Sequence, residues 1–279
     1  MMKLMNLLRY LTASIMFFSV QSFAGERIVS IGGDVTEIIY ALNAEQSLVG
    51  RDSTSLIPTQ VQKLPDIGYM RQLNAEGILS LKPTKVMASE VAQPAVVFEQ
   101  LKSVGIQVDI LPFGYTAESV IEKIKRIGKS LNKSAQAEIL SKTFVQQLEA
   151  IDRSDLDVRI LFVLNRAGAN QMVAGSGTMA DTEIKLIGAK NAMENQVRFT
   201  PISQEGVIAA NPDLIVMTQL GIKALGGEDK VWELAGILHT NAGKQRNLVV
   251  VEDIALMSFG LTTPKEMAKL RMAAEKVKK

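Results

Sequence analysis

The chain carries one short segment twice, about 130 residues apart, and no other feature constrains its architecture as strongly. The first copy reads Glu76-Gly77-Ile78-Leu79-Ser80-Leu81-Lys82-Pro83-Thr84-Lys85-Val86-Met87. The second reads Glu205-Gly206-Val207-Ile208-Ala209-Ala210-Asn211-Pro212-Asp213-Leu214-Ile215-Val216. Glu, Gly and Pro fall at the same offsets, and an apolar run follows each proline. A carboxylate near the start of a short helix suits the helix dipole. Proline cannot continue a helix, so Pro83 and Pro212 end each one and hand the chain to a strand. Val86-Met87 and Leu214-Ile215-Val216-Met217 read as those buried strands. One helix–proline–strand unit in each half predicts two related α/β lobes, although junctions of this kind recur in any α/β protein. Two lobes leave a cleft between them, where ligands bind.

The 279 residues suffice for two domains of ordinary size. Residues 1–24 are set apart from them. Lys3 and Arg9 precede the short apolar run from Tyr10 to Val20, and Ser22-Phe23-Ala24 offers small residues to a signal peptidase. The run falls short of the ~20 apolar residues a spanning helix needs. Cleavage after Ala24 is therefore expected, and removal of Lys3 and Arg9 cuts the 31 basic residues to 29, against 29 acidic. That balance gives no concentrated basic face for nucleic acid. The sequence has no cysteine, hence no disulfide and no lipid-modified thiol, and a freely soluble periplasmic protein is the simplest reading.

Strand and helix signals alternate along residues 25–116, which implies a mainly parallel sheet with right-handed crossovers. Arg27 to Ile31, Leu48 to Gly50 and Gln107 to Leu111 read as strands. Asp34 or Thr36 is expected to cap the helix after Gly32-Gly33, and Pro94 to Ser103 reads as helical. From Ala117 to about Asp152 the period turns helical throughout, with Gly128 and Asn132 as a possible break between two helices. A long helix here would join the lobes as one stiff crossing, giving a connecting segment over 117–155. Alternation resumes at Val158 to Leu164 and fills 156–279. It continues with a helix from about Met179, a loop around Gly221 to Gly227, a helical start at Trp232 to Leu234, a last strand at Leu248 to Val251 and a helix from Thr263 with Pro264 in its first turn.

Exclusions narrow the function. The single histidine, His239, cannot build a zinc cluster with cysteine or other histidines, and no G-x-S-x-G elbow exists for a serine hydrolase. Gly175-Ser176-Gly177 lacks the Lys-Ser/Thr ending of a phosphate loop. Paired carboxylates remain available to an enzyme, but no motif arranges them.

With this organisation, Arg27-Ile28-Val29-Ser30-Ile31-Gly32-Gly33-Asp34-Val35-Thr36-Glu37 resembles the opening of class III periplasmic binding proteins. These are the substrate receptors of ABC importers for siderophores, cobalamin and haem. Gly68-Tyr69-Met70-Arg71 leading into Asn74-Ala75-Glu76-Gly77 is similar to the haem-binding subgroup, as is Met172-Val173-Ala174-Gly175 to Ala180-Asp181. The resemblance covers the whole mature chain. It implies an α/β fold of two Rossmann-like lobes, each a mainly parallel sheet flanked by helices, joined by a long connecting helix. It also implies a non-catalytic, monomeric periplasmic receptor that carries haem b to an inner-membrane ABC permease.

The same resemblance makes Tyr69 the axial ligand of haem iron. Phenolate oxygen is a hard donor suited to Fe(III), and a tyrosine, with an ordinary pKa of ~10, ionises there only if the metal or a nearby cation favours it. Arg71 would hydrogen-bond the phenolate or meet a haem propionate. Two departures stand out. The loop Leu164-Asn165-Arg166-Ala167-Gly168-Ala169-Asn170 lacks the histidine common in the subgroup, which leaves Arg166 to pair with a propionate or to hydrogen-bond near the open face. Phe259-Gly260-Leu261-Thr262 replaces the family's Phe-Gly-Pro-Arg. Met70, Met172 and Met257 are possible apolar walls. Glu76 and Glu205, one per lobe, would dock on permease arginines as well as stabilise helix starts. The rival expectations are a ferric-siderophore or corrinoid receptor on the same fold and, from another class, an exported enzyme.

Overall fold

The structure is a computed structural model that describes residues 25–166, 168, 170–252 and 256–277; the signal peptide expected over 1–24 lies outside them. The first sheet holds β1 (Ile28–Ile31), β2 (Leu48–Arg51), β3 (Lys85–Ser89) and β4 (Gln107–Leu111) in the order β2-β1-β3-β4, all parallel. Helices α1 (Gly33–Ala41), α2 (Ala75–Ser80) and α3 (Val96–Ser103) connect these strands. The central strands β1 and β3 are buried along their whole length, as strands covered on both faces are, and they bury Ser30, Lys85 and Ser89 beside their apolar residues.

The connecting segment is two helices, α4 (Ala117–Ser130) and α5 (Ser134–Glu149). Asn132 takes a left-handed φ of 55° between them, and the chain turns back on itself. A Cβ on Gly128 would collide with that of Ala137, so this glycine permits the close approach of the two helices. Lys125 and Glu138 pair across the turn at 3.3 Å. One continuous helix over 117–152 is thus corrected to a hairpin, and it is α5 that carries the chain to the second sheet.

That sheet holds β5 (Arg159–Leu164), β6 (Met172–Ala174), β7 (Lys190–Asn191), β8 (Phe199–Pro201), β9 (Leu214–Thr218) and β10 (Leu248–Val251). Its order is β10-β9-β5-β6-β8, with β7 paired to β5. β5, β7, β9 and β10 are parallel, but β6 runs antiparallel to both β5 and β8. The second sheet is therefore mixed; its antiparallel strands are three residues long, too short to show a period in sequence. The helices here are α6 (Met179–Leu186), α7 (Gln204–Ala210), α8 (Gln219–Leu225), α9 (Asn241–Gln245) and α10 (Thr263–Val277). α8 occupies what the sequence suggests is a loop, and Trp232 ends a 3-10 turn over Glu228–Glu233 rather than starting a helix. Among the described residues no helix is long and apolar enough to cross a membrane.

The sequence repeat is a structural one. Helix caps (Asn74 and Ser203), left-handed residues (Lys82 and Asn211), prolines (Pro83 and Pro212) and strand starts (Lys85 and Leu214) all lie 129 residues apart. Asn74 Oδ1 accepts from the Glu76 amide at 2.7 Å, and Ser203 Oγ accepts from the Gly206 amide at 3.1 Å, each satisfying an otherwise orphan donor.

One apolar core runs through both halves. Ile28 and Met87 of the first sheet join Ile124 and Ile127 of α4, Phe144 and Leu148 of α5, Phe162 and Val216 of the second sheet and Leu270 of α10. The junction of the lobes is thus packed core rather than a flexible linker. At its polar heart α1 starts at Gly33 with Gly32 as its cap residue, and Thr54 Oγ1, from beyond β2, accepts from the Gly33 amide at 3.2 Å. Asp34 and Thr36, expected to cap, do other work. Asp34 forms a buried ion pair with Lys123 of α4, and the Thr36 hydroxyl donates to Ser30 Oγ at 2.7 Å.

One turn further along α1, Glu37 is buried and its Oε1 accepts from the Thr262 hydroxyl, across the lobe boundary, at 3.1 Å. Its Oε2 has no hydrogen-bond partner among the described residues. Burial pushes the Glu37 carboxyl up to about 8; the hydrogen bond from Thr262 offsets part of that rise and the Asp34 carboxylate adds to it. The folded value exceeds the unfolded one, so this group's contribution is fully present below the unfolded value of 4.5. It fades as pH climbs to about 8 and the unfolded chain releases a proton that the fold retains. Each unit is worth ~1.4 kcal/mol, so the wild type should lose up to a few kcal/mol across that window. Glu37→Gln, isosteric with the neutral carboxyl, should remove this decline. Urea unfolding at pH 5, 6.5 and 8 checks it, and equal pH slopes in the two proteins would refute it.

Candidate functional site

A cavity of about 660 Å³ lies between the two sheets, lined from both. Its walls sit where strands end: Gly33 and Asp34 follow β1, Ser53 and Thr54 follow β2, Val91 follows β3 and Phe113 follows β4. From the other side come Leu164 to Arg166 at the end of β5, Thr218 at the end of β9 and Met257 beyond β10. The carboxyl ends of parallel strands are where open α/β sheets hold ligands.

Tyr69, Arg71 and Arg166 all line this cavity. Tyr69 sits half-buried on a loop fixed from two sides. On one side Asp66 Oδ1 accepts from the Gly68 amide at 2.8 Å and from the Ser53 hydroxyl at 2.9 Å, while Asp66 Oδ2 pairs with Arg51 at 2.9 Å. The Ser53 amide also donates to the Gly68 carbonyl at 2.9 Å. On the other side the Gln93 amide donates to the Met70 carbonyl at 2.7 Å, and the Leu73 amide to the Gln93 carbonyl at 2.9 Å. Gly68 has a φ of 94° with open space where a Cβ would be, so backbone conformation alone requires glycine immediately before the tyrosine.

The electrostatics of the lining are one-sided. Arg71, Arg166 and Lys223 are exposed cations on it, and among the described residues none of the three is ion-paired. Among the described residues Asp34 is the single carboxylate of the lining, already neutralised by Lys123. The rest is largely apolar, with Leu56, Met70, Val91, Phe113, Leu164, Leu220 and Met257. No hydrogen bond joins Arg71 to Tyr69 among the described residues, so the structure leaves this guanidinium available to an anionic ligand group. The chemistry on offer is one phenol, three unpaired cations and broad apolar walls, which suits a large apolar molecule with acidic substituents.

Sequence reasoning passed over Lys223, Phe113, Leu56, Val91, Leu164 and Leu220. Lys223 was hidden because α8 reads as a loop. Thr218 caps that helix by accepting from the Gly221 amide at 3.1 Å, and Asn165 Nδ2 donates to the Gly221 carbonyl at 3.0 Å, fixing it against the cavity. The signal for the others was their place just after a strand, as with Phe113 after Pro112. Met70 and Met257 do line the cavity; Met172 lies in β6 and does not. Glu76 and Glu205 are exposed near the starts of α2 and α7, outside the cavity lining. His239 is exposed, and among the described residues no three His, Cys, Asp or Glu side chains group to hold a metal ion.

Known proteins share this fold. The periplasmic haem-binding protein RhuT from Roseiflexus sp. RS-1, solved in apo form, is 34% identical; the match covers 91% of this chain and 100% of that one, with a TM-score of 0.86. The periplasmic haem-binding protein BhuT, solved with two haems, is 32% identical over 91% and 99% of the two chains, with a TM-score of 0.83. Among curated relatives, the uncharacterised ABC transporter substrate-binding lipoprotein YvrC of Bacillus subtilis is 29% identical over 74% of this chain and 67% of its own length. The vitamin B12-binding protein of Photorhabdus laumondii is 23% identical over 76% and 75%. The periplasmic binding protein family matches residues 28–255, most of the described chain and both sheets, and the chain belongs to that family.

Proposed function

We propose that this protein is the periplasmic haem receptor of an ABC importer, binding haem in the inter-lobe cavity and delivering it to an inner-membrane permease without catalysis. In this reading residues 25–116 and 156–279 are the lobes, 117–155 connects them, and 1–24 is a cleaved export signal. The observation that carries it is the convergence of Tyr69 with three unpaired cations in one apolar cavity. Tyr69 Oη is assigned to Fe(III), for which a phenolate is a suitable hard ligand. Arg71, Arg166 and Lys223 are assigned to the two propionates, and Lys223 supplies a cation in a lobe that lacks the family's Phe-Gly-Pro-Arg. Solved haem-binding neighbours above 30% identity support the same cargo.

The second reading is a corrinoid receptor, favoured by the vitamin B12-binding relatives. Against it stands the charge of the cavity: cobalamin presents mainly neutral amides, which give the three cations little to pair with, whereas haem brings two carboxylates.

Titrating the protein with haemin, cyanocobalamin and a ferric siderophore separates these readings. Haemin should bind saturably with a ferric tyrosinate absorbance, and the other two should not. Tyr69→Phe, which removes only the phenol oxygen, should abolish that absorbance and weaken haemin by at least about tenfold, ~1.4 kcal/mol. Lys223→Ala and Arg166→Ala should each cost about two- to fivefold, as partly exposed ion pairs do. Preferential binding of cyanocobalamin would replace the proposal with the second reading.

Glu76 and Glu205 are assigned to the permease, one on each lobe at equivalent places in the repeat. Charge reversal at both, Glu76→Lys with Glu205→Lys, should leave haemin affinity unchanged and stop uptake by proteoliposomes holding the transporter. Undiminished uptake would remove the two glutamates from docking.

A further inference from the structure

We infer that Phe113 is the stacking wall of the cavity, the residue that favours a flat conjugated macrocycle over a corrinoid. The inference rests on the haem reading above and adds a residue that neither the sequence motifs nor the iron ligand supply.

Phe113 lies on the short loop between β4 and α4 and lines the cavity. Tyr69 and Phe113 are its two aromatic lining residues among those described. Three contacts hold Phe113 in place. Its amide donates to Glu90 Oε1 at 2.8 Å, which anchors the loop to the end of β3. Tyr115 meets its ring edge-to-face, with centroids 5.5 Å apart and an interplanar angle of 76°. The Lys123 ammonium stands over the ring, 5.7 Å from its centroid. Lys123 is buried and ion-paired with Asp34, so its contact with the ring is a packing contact inside the wall, while the ring borders the cavity.

An aromatic held this rigidly loses little freedom when a ligand stacks on it. A porphyrin is flat and lets a phenyl ring approach to van der Waals distance, ~3.5–4 Å. A corrin is puckered and carries amide arms and axial groups on both faces, which keep a wall ring at a distance. The same side chain therefore rewards one macrocycle and gives the other little.

The test uses metal-free protoporphyrin IX beside haemin and cyanocobalamin, so that stacking is read without iron ligation. Phe113→Leu keeps an apolar side chain of similar size, and Phe113→Tyr keeps the aromatic face. Phe113→Leu should weaken protoporphyrin and haemin by the same factor, about three- to tenfold, and leave the ferric tyrosinate absorbance in place. It should also narrow the haemin-to-cyanocobalamin affinity ratio, and Phe113→Tyr should restore wild-type affinity. Wild-type affinity for protoporphyrin in Phe113→Leu, with haemin still bound by the wild type, would overturn the inference alone. A loss that Phe113→Tyr fails to rescue would also overturn it, because shape rather than an aromatic face would then be at work. Wild-type protein that binds no haemin would overturn the haem reading and this inference together.

Discussion

The buried ion pair between Asp34 and Lys123 is the constraint on which the rest of the structure depends. It joins the first turn of α1 to α4, and so joins the first sheet to the helical hairpin that leads to the second. Asp34 also borders the cavity, and Lys123 stands behind Phe113 in its wall. One turn along α1, Glu37 reaches Thr262 in the other lobe. A buried pair of this kind adds little net stability over an apolar replacement, but losing either member leaves a buried charge uncompensated, at a cost of about 3–5 kcal/mol. Cavity shape and lobe junction are thus tied to the same two side chains.

One apolar core packs the two lobes against each other, and this bears on the cavity between them. Much of the cavity wall is built from the ends of parallel strands, which the sheets hold in place. Pre-formed sites avoid the ordering cost that flexible ones incur on binding. The loop that presents Tyr69 shows the same principle locally. Asp66 satisfies the Gly68 amide, the Ser53 hydroxyl and Arg51 at once, leaving the tyrosine backbone little room to wander.

Much of this was legible in the sequence for physical reasons. Proline and cap chemistry impose the same boundaries wherever they recur, so the repeat around Glu76 and Glu205 gave both junctions. A buried strand such as β9 announces itself by its run of apolar residues, Leu214 to Met217. Tyr69 and Arg71 were accessible through motif resemblance and Arg166 through a departure from it, and the cavity brings all three together. What stayed hidden depends on tertiary context. The three-residue strands β6 and β8 are too short for a period, and α8 is one helix of seven residues with glycine inside it, which concealed Lys223. Asp34 looks like a helix cap by local rules, yet its partner Lys123 is 89 residues away, a separation no local rule spans. Phe113 falls after a strand-ending proline, a position that marks a sheet edge but cannot say what faces it.

The central claim is that Tyr69 Oη binds the iron of the transported haem. Resonance Raman spectroscopy of the ferric haem-loaded protein tests it most directly, because vibrations of an iron-bound phenolate are distinct from those of any other side-chain ligand. The account predicts phenolate-enhanced modes in the wild type that vanish in Tyr69→Phe. Haem-loaded wild type and Tyr69→Phe with the same spectrum would contradict it.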